Sequence, residues 1–442
     1  GETTVIETDK WYVLKVKKNM QTLIWFQLYY LMFYGFFRDI FGMSNAISYV
    51  LDLTNIIIFA HAILNRKILQ NEKKYYVLIC GWIGAYVLFT LIGIIAVNGS
   101  WILYLWGARN TFRYYIFFIS CVIFLKMEDI YKIKSFFKKI FYVNVAACMI
   151  EYFMGYSGDY VGGTFGTVQG VNGYLNLLLV IFTAIIVVDY IDKKSSLKST
   201  PINIILCCCV MALAELKVYV FELIIIMILA IAKKGTTTRK LTVIILGCIC
   251  VGIGIILLGS FFKNSGESFF NIDTIFDYAG DSGYTGNNDL NRFNAVLKIN
   301  DNFFRNSNYK KIFGYGLGNC SFSSISSFTS VFYRKYNSMH YQWFSDALVY
   351  IETGLVGLVF FEGFFVIIYG VCKKILKRIA IEENKIEKKE LENLIKITSI
   401  VVVMSIVNSI YNSALSMDAG YMSYFMLAIP LIIHKRSGTL GR

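Results

Sequence analysis

The sequence predicts an all-α polytopic membrane protein, and three observations support this fold class. The 442 residues are 56% hydrophobic and only 16% charged, with a mean hydropathy of +0.56, which lies outside the balance of ordinary globular proteins. Apolar stretches of membrane-spanning length recur along the chain. Basic residues cluster in alternate connections between these stretches. The composition therefore excludes a water-soluble globular protein.

About twelve stretches of roughly 17–25 residues, the length that crosses about 30 Å of hydrocarbon, are candidate transmembrane helices. They cover residues 21–37, 41–61, 75–97, 107–125, 140–156, 171–190, 201–214, 217–232, 241–262, 346–371, 397–413 and 418–434. The seventh and eighth stretches are short. An alternative for these two is one bent, re-entrant pair of helices around the sequence AELK.

The net charge of +14 comes from basic clusters that all fall on one side of the bilayer when these spans are threaded through it. The clusters are Lys10–Lys18, Arg66–Lys74, Lys126–Lys139, Lys193–Lys198, Lys233–Lys240, Lys373–Lys396 and Lys435–Arg442. The positive-inside rule assigns that side to the cytoplasm. We therefore expect a multi-pass protein with both termini cytoplasmic, whose basic charge faces the cytoplasm and does not indicate a nucleic-acid partner.

One connection is far longer than the others and divides the chain into three parts. Residues 1–262 form a first membrane bundle, 263–345 a large extracytoplasmic loop, and 346–442 the last three spans with a cytoplasmic tail. Loops of this length are typically functional or disordered. The spacing of Leu290, Phe293 and Leu297 predicts a helix in the loop, capped by Asn288 or Asp289, and a second helix from about Ser338 into the tenth span.

Ten cysteines are present, and nine of them lie in or beside predicted spans. Only Cys320 lies in the large loop, so a disulfide framework is not expected there. No C-x-x-C pair or paired acidic motif indicates a metal site. We expect buried apolar thiols and no metal or nucleotide cofactor.

Three glycines alternate in the sequence KKIFGYGLGNCSF within the large loop, at Gly314, Gly316 and Gly318. Their spacing fits neither the dinucleotide-binding pattern nor the P-loop. The predicted topology also places them outside the cell, away from nucleotides. Two interpretations remain: a tight structural turn, or a turn whose exposed amides also face a substrate.

Several cations are predicted at the extracytoplasmic face, where ionisable residues near a membrane indicate function. Arg109 and Arg113 are four residues apart on one face of the fourth span, Lys217 lies between the seventh and eighth spans, and Arg292 lies on the loop helix. The alternative for each is a surface salt bridge or contact with lipid phosphate; Glu215, for example, can neutralise Lys217. Convergent cations predict a binding site for a diphosphate.

His340 is the one histidine of three that the topology places at the extracytoplasmic face. An imidazole there can take a proton from a sugar hydroxyl or orient a phosphate. The alternative is a histidine that only caps the tenth span. Glu352 and Asp346, about three turns and one turn further along, are candidates to orient the histidine or to act as a base.

Three segments, in this order, resemble the O-antigen ligase/polymerase superfamily, which includes Wzy-type polymerases and WaaL-type ligases. They are NDLNRFNAVLKIND, KKIFGYGLGN and SMHYQWFSDALVYIETGLVGLVFF, which supply Arg292, the three glycines, His340 and the E-x-G-x-x-G pattern of Glu352, Gly354 and Gly357. Upstream, GGTFGTVQGVNGYLNLLL resembles the family's G-T-F segment with Asn172 in the Asn position. Lys217 stands where the family usually has Arg.

The resemblance implies a GT-C-like glycosyltransferase in a bacterial inner or plasma membrane. It implies that glycan leaves undecaprenyl diphosphate and joins an acceptor sugar hydroxyl, as in synthesis of capsule, exopolysaccharide or O-antigen, without metal or nucleotide. Possible partners are a flippase and a chain-length regulator. The alternatives are a ligase that transfers finished polymer and, in another class, a transporter of lipid-linked sugars.

The charged residues and the resemblance together predict three groups of site residues. Catalysis is expected from His340, Arg292 and Glu352. Diphosphate binding is expected from Arg109, Arg113, Lys217 and Arg292. Asn172, Gly314, Gly316 and Gly318 are expected to shape the glycan cleft.

Overall fold

The computed structural model describes residues 2–65, 73–261, 283, 285, 289–381 and 385–437. Every regular element in these residues is a helix. Outside them lie the proposed cap Asn288, the basic residues Arg66 and Lys67, most of the first third of the predicted loop, and the chain end from 438.

In the described residues, nine α-helices precede the large loop. They are α1 Glu2–Ile40, α2 Tyr49–Leu64, α3 Lys73–Ala96, α4 Trp101–Phe124, α5 Met127–Phe153, α6 Asn172–Ile191, α7 Ser199–Leu213, α8 Val218–Ile231 and α9 Thr237–Phe261. From Leu290 onward the structure describes seven further α-helices. They are α10 Ala295–Ile299, α11 Asn308–Phe313, α12 Val331–Tyr336, α13 Ser345–Ile379, α14 Lys385–Tyr411, α15 Gly420–Leu427 and α16 Ile429–Ser437.

Six of the described helical segments are long and apolar enough to cross a membrane. They are Asn45–Leu64, Lys74–Ala96, Asn172–Ile191, Thr237–Leu257, Ser345–Ile379 and Ile386–Tyr411. Helices α7 and α8 are apolar but shorter. They are two separate helices joined by a turn at residues 214–217, where Glu215 has a φ of 53°. The chain is therefore an all-helical protein with several candidate membrane spans.

Helix α6 forms the centre of the bundle. Every side chain from Leu175 to Ile191 is buried, because α5, α7, α8 and α14 pack around it. Polar side chains on such a helix must find partners inside the protein. Thr183 accordingly lies 2.6 Å from the Tyr219 hydroxyl, and Asp189 pairs with Lys134 at 3.1 Å.

The two ends of the bundle differ in character. At one end, α6 finishes among ion pairs: Lys134 and Lys138 bind Asp189, and Lys396 binds Asp192 at 2.8 Å. At the other end, α6 begins beside irregular segments. We call this second end the rim and define it as residues 155–171, 214–217, 289–344 and 412–419. The structure describes every site residue that the sequence predicts, in the rim and in the helices beside it.

The described part of the large loop differs from the predicted helices in two places. The predicted helix is shorter than the apolar spacing indicates: α10 begins at Ala295 and continues as a π-helix over Asn300–Phe304. Asp289 does not cap it, because its carboxylate binds elsewhere. The second predicted helix is interrupted, since His340 has a left-handed φ of 57° and the regular helix begins only at Ser345.

All ten cysteines are free thiols. Seven are buried, including Cys320, as the sequence predicts. Cys80 and Cys248 are exposed on α3 and α9, and Cys209 is half-buried. Both exposed thiols lie in candidate membrane spans, where the exposed face of a helix meets lipid.

Candidate functional site

His340 is held in the rim by a buried aspartate. Its Nδ1 lies 3.0 Å from Asp289 Oδ2, and the Asp289 side chain is only 1% exposed while that of His340 is 25% exposed. The imidazole also stacks on Trp343, with ring centroids 3.8 Å apart and an angle of 13° between the rings. With Nδ1 engaged by a carboxylate, Nε2 is the nitrogen left to accept a proton or to contact a substrate.

The backbone around this pair fixes its geometry. Leu290 N donates to Met339 O at 3.1 Å, so the residues after Asp289 and before His340 are joined directly. Thr285 N donates to both carboxylate oxygens of Asp289 at 3.1 and 3.2 Å. A left-handed backbone is costly for a residue other than glycine and typically persists where the surroundings impose it. The aspartate and the turn thus hold the imidazole in one orientation.

Electrostatics favour a charged Asp289. Burial alone raises the pKa of this carboxyl, but the hydrogen bonds from His340 and Thr285 outweigh burial and leave its pKa below the usual value. The carboxylate is therefore ionised at neutral pH and accepts the proton on Nδ1. Glu352 and Asp346 are the candidates that the sequence offers to orient His340, whereas the partner in the structure is Asp289.

Arg292 lies in the same segment, three residues after Asp289. Its guanidinium carbon is 3.7 Å from the centre of the Tyr411 ring, at the last residue of α14. The next residue, Asn412, accepts hydrogen bonds through its carbonyl from the backbone N and Oγ of Ser345, both at 3.1 Å. Because Ser345 begins the helix that follows His340, Arg292 and His340 are attached to the same junction of α13 and α14.

Lys217 and Asn172 lie in the part of the rim beside the starts of α8 and α6. Lys217 Nζ pairs with Glu215 at 3.2 Å, as the sequence analysis allowed, and both side chains are about one third exposed, at 39% and 32%. Asn172, at the start of α6, donates to the Ala214 carbonyl at 3.0 Å and to Asp159 at 2.9 Å. Asn172 therefore ties the turn that carries Lys217 to the central helix.

A continuous set of contacts joins these two parts. Ala414, two residues after Asn412 in the rim, lies against Gly173 of α6. A Cβ added at Gly173 would lie 3.6 Å from the Cβ of Ala414. Gly173 follows Asn172, which holds Ala214 in the turn of Lys217. Arg292 and Lys217 thus lie on neighbouring segments at the same end of the bundle. This end contains the starts of α6 and α8 and the end of α14.

Arg109 and Arg113 occupy a different environment from the one the sequence analysis expected. Arg109 forms an ion pair with Asp52 and lies 4.7 Å over the Trp106 ring. Arg113 Nη1 pairs with Asp418 at 2.7 Å and lies 3.8 Å from Asp52, and Arg113 is only 7% exposed. Tyr34 also donates to Asp418. These partners occupy the two arginines, and burial argues against Arg113 as a diphosphate ligand.

Asp52 and Asp418 are not among the predicted site residues. Each lies inside or at the edge of a predicted apolar span, and the sequence gives neither of them a partner. The available signal was the presence of a carboxylate at membrane depth, which requires a buried cation. Arg113 and Asp418 are far apart in the sequence. Their pairing therefore follows only from the packing of α4 against α15.

Glu352 positions the glycine segment. Its Oε1 accepts hydrogen bonds from Cys320 N at 3.1 Å and from Ser321 Oγ at 2.6 Å, and the residue is buried. Tyr315 N donates to Ile351 O at 3.0 Å, one residue before Glu352. In this structure the carboxylate holds the loop after Gly318 against α13.

Two of the alternating glycines permit close approach of the backbone to helices. An added Cβ at Gly314 would lie 2.4 Å from the Glu352 carbonyl carbon, and one at Gly318 would lie 1.9 Å from Leu103 O on α4. Both residues also have positive φ, at 66° and 79°. The segment thus packs between α4 and the start of α13, and Gly316 lies between these two contacts. A structural role is established by these contacts, while the cleft role of Asn172, Gly314, Gly316 and Gly318 stays a prediction.

No protein-family model and no curated protein matches this chain. The family resemblance of the three loop segments therefore remains a prediction.

Proposed function

We propose that this protein is a membrane polysaccharide polymerase that joins undecaprenyl-diphosphate-linked oligosaccharide repeat units. In this proposal the rim is its active face, exposed on the extracytoplasmic side of a bacterial membrane. The chain crosses the membrane about twelve times in a GT-C-like arrangement, with both termini in the cytoplasm. The lysine-rich ion pairs at the opposite end of α6 support this orientation.

The observation that carries the proposal is the attachment of Arg292 and the Asp289–His340 pair to one junction of helices. A cation and an oriented imidazole are the two groups that glycan transfer from a lipid diphosphate needs. Lys217 lies on the neighbouring turn and supplies a second cation. Its side chain is 39% exposed and its carboxylate partner is also at the surface, so an incoming diphosphate can compete for it.

The reaction we propose is a displacement by the acceptor hydroxyl at the anomeric carbon of the donor. His340 Nε2 takes the proton of the acceptor hydroxyl, whose oxygen forms the new bond to the anomeric carbon. The bond from that carbon to the diphosphate oxygen breaks, and the lipid diphosphate leaves with the electron pair. Arg292 and Lys217 stabilise the negative charge on the leaving group, and Asp289 stabilises the protonated imidazole.

The roles of the other predicted residues follow their environments. Arg109 is 27% exposed on its side chain and can contact substrate at the edge of the site, whereas buried Arg113 holds α4 to Asp418. Glu352 acts through the glycine segment and so is a positioning residue in this proposal. Asn172 and the three glycines would border the glycan. A flippase and a chain-length regulator are the expected protein partners.

A ligase that transfers finished polymer uses the same donor chemistry and is the nearest alternative. Deletion of the gene separates the two: loss of a polymerase leaves single repeat units, and loss of a ligase leaves long unattached chains. A transporter of lipid-linked sugars is the alternative from another class, and it predicts charges along a path through the bilayer. Arg292, Lys217 and His340 instead lie at one end of the bundle, on segments of the rim.

The proposal is tested by complementing the deletion strain with Arg292→Ala and His340→Ala variants. We expect each variant to reach the membrane at the parental level and to restore no long polymer. Arg305→Ala is the matched control, because Arg305 is an exposed cation of the same loop. Polymer of normal length in either site variant would overturn the proposal.

A further inference from the structure

Three polar residues meet inside the bundle, on three different helices. Asn176 of α6 donates through Nδ2 to Glu222 Oε1 of α8 at 2.9 Å and to Asn408 Oδ1 of α14 at 3.3 Å. All three residues are 0% exposed. None of the ion pairs among the described residues includes Glu222. A carboxyl group is therefore held at the centre of an apolar bundle without a cation.

Two acceptor atoms of this group receive no hydrogen bond from any described residue: Asn176 Oδ1 and Glu222 Oε2. A buried, ionised carboxylate with a single amide donor would carry a large desolvation cost. Buried acceptors without a donor are rare and require an explanation. Both orphaned atoms belong to the two side chains that already share one hydrogen bond.

We propose that Glu222 is a proton-binding site and carries a proton in the folded protein at neutral pH. The proton resides on Oε2 and is donated to Asn176 Oδ1. The carboxylic acid and the carboxamide then form a cyclic pair, in which Asn176 Nδ2 donates to Oε1 and Oε2 donates back. One proton thus removes the negative charge and satisfies both orphaned acceptors. The proton does not supply an acceptor for Asn408 Nδ2, which is also buried without a hydrogen-bond partner among the described residues.

The surroundings of Glu222 contain little that could ionise it. Asn176 of α6 donates to it, and Asn408 of α14 accepts from the same amide of Asn176. The Tyr219 hydroxyl, one turn earlier on α8, bonds Thr183. On the α13 side of α14, Glu362 accepts a hydrogen bond from Ser409 Oγ at 2.6 Å. On α9, Gly247 lies against Met227 of α8, and no charged residue follows Lys240 in this helix.

The position of the pair gives it a consequence for the site, which rests on the proposed function. Glu222 is five residues beyond Lys217, Asn176 is one turn beyond Asn172, and Asn408 is one turn before Tyr411, whose ring lies under Arg292. Glu222 and Asn176 thus lie about one turn further into the bundle than the segments that carry the two cations. A neutral Glu222 leaves the positive charge of Lys217 and Arg292 available to a diphosphate, whereas an ionised Glu222 would cancel part of it.

Infrared difference spectroscopy on the purified full chain in lipid tests the protonation directly. The spectrum of Glu222→Gln is subtracted from that of the parent at neutral pH. We expect the difference to contain the carbonyl stretch of a carboxylic acid and no carboxylate band. Asp189→Asn is the matched control, since Asp189 is a buried carboxylate of α6 held by Lys134 and Lys138, and its difference should contain only carboxylate bands.

The outcomes separate the possible ligands. A carboxylate band in the Glu222→Gln difference at neutral pH would overturn the proposal. A carboxylate band accompanied by a sodium-dependent rise in the thermal midpoint of the parent, absent in Glu222→Gln, would instead establish a monovalent cation site and would also overturn it. If Glu222→Gln misfolds, a pH titration of the acid band in the parent decides the question. The spectra do not depend on polymer formation, so they succeed or fail independently of the proposed enzyme activity.

Discussion

His340 Nδ1 lies 3.0 Å from Oδ2 of Asp289, a carboxylate that is 1% exposed and that also accepts hydrogen bonds from Thr285 N. This relationship makes one nitrogen of the imidazole a committed donor and leaves the other for chemistry. His340 is the only histidine among the described residues of the rim, and an ionised carboxylate holds its Nδ1.

We predict that Asp289→Asn lowers polymer formation by on the order of 10- to 100-fold, because the imidazole loses its charged partner while its position is largely kept. His340→Ala should cost more, on the order of 10²- to 10⁴-fold. Initial rates on lipid-linked repeat units in proteoliposomes would measure both. Asp301→Asn, an exposed carboxylate of the same loop, should stay at the parental rate; an equal loss there would argue against a specific role for Asp289.

A second prediction concerns the pH dependence of the Asp289–His340 contact. The folded protein holds the pKa of Asp289 below its usual value of 3.8, so the stabilisation it provides is fully present above pH 3.8 and is lost as pH falls through the lower folded value. Hydrogen exchange of residues 289–344 should therefore distinguish the parent from Asp289→Asn at pH 5 but not at the most acid pH that both tolerate. A difference that grows on acidification would contradict this.

The third prediction concerns Gly318, whose added Cβ would lie 1.9 Å from Leu103 O. Gly318→Ala should destabilise the protein by about 2–5 kcal/mol, through the positive φ and the clash with α4. Gly170→Ala is the control, because Gly170 has a similar φ of 84° but open space around its Cα. Thermal midpoints in detergent should fall clearly more for Gly318→Ala, and equal shifts would show that the close approach is unimportant.

The fourth prediction concerns the buried ion pair of Arg113 and Asp418. Removing either charge leaves the other buried, so Arg113→Gln and Asp418→Asn should each cost about 3–5 kcal/mol, and the double variant should cost less than their sum. The exposed pair of Lys217 and Glu215 offers the comparison, since Glu215→Gln should change stability by only about 0–1 kcal/mol. Additive effects in the Arg113–Asp418 cycle would show that the two charges do not interact.

Much of the fold followed from the sequence because burial in lipid is a local requirement. The all-helical class was predicted correctly, and six of the twelve predicted spans coincide with described helices long and apolar enough to cross a membrane. Each span must satisfy its own backbone and is recognised by composition alone. The helix boundaries in the large loop were less accurate. At His340 the chain takes a left-handed conformation that tertiary contacts impose, and no residue pattern in the sequence encodes it.

The sequence alone indicated the residue types of the candidate site: an isolated histidine, a few cations near one face and glycines between them. Their partners depend on the tertiary packing. His340 pairs with Asp289 and not with Glu352, Arg113 pairs with Asp418, and Glu222 meets Asn176. The physical reason is that local pattern reflects burial and backbone geometry, whereas a buried polar group is satisfied by whichever residue the packing of distant helices brings within hydrogen-bonding distance.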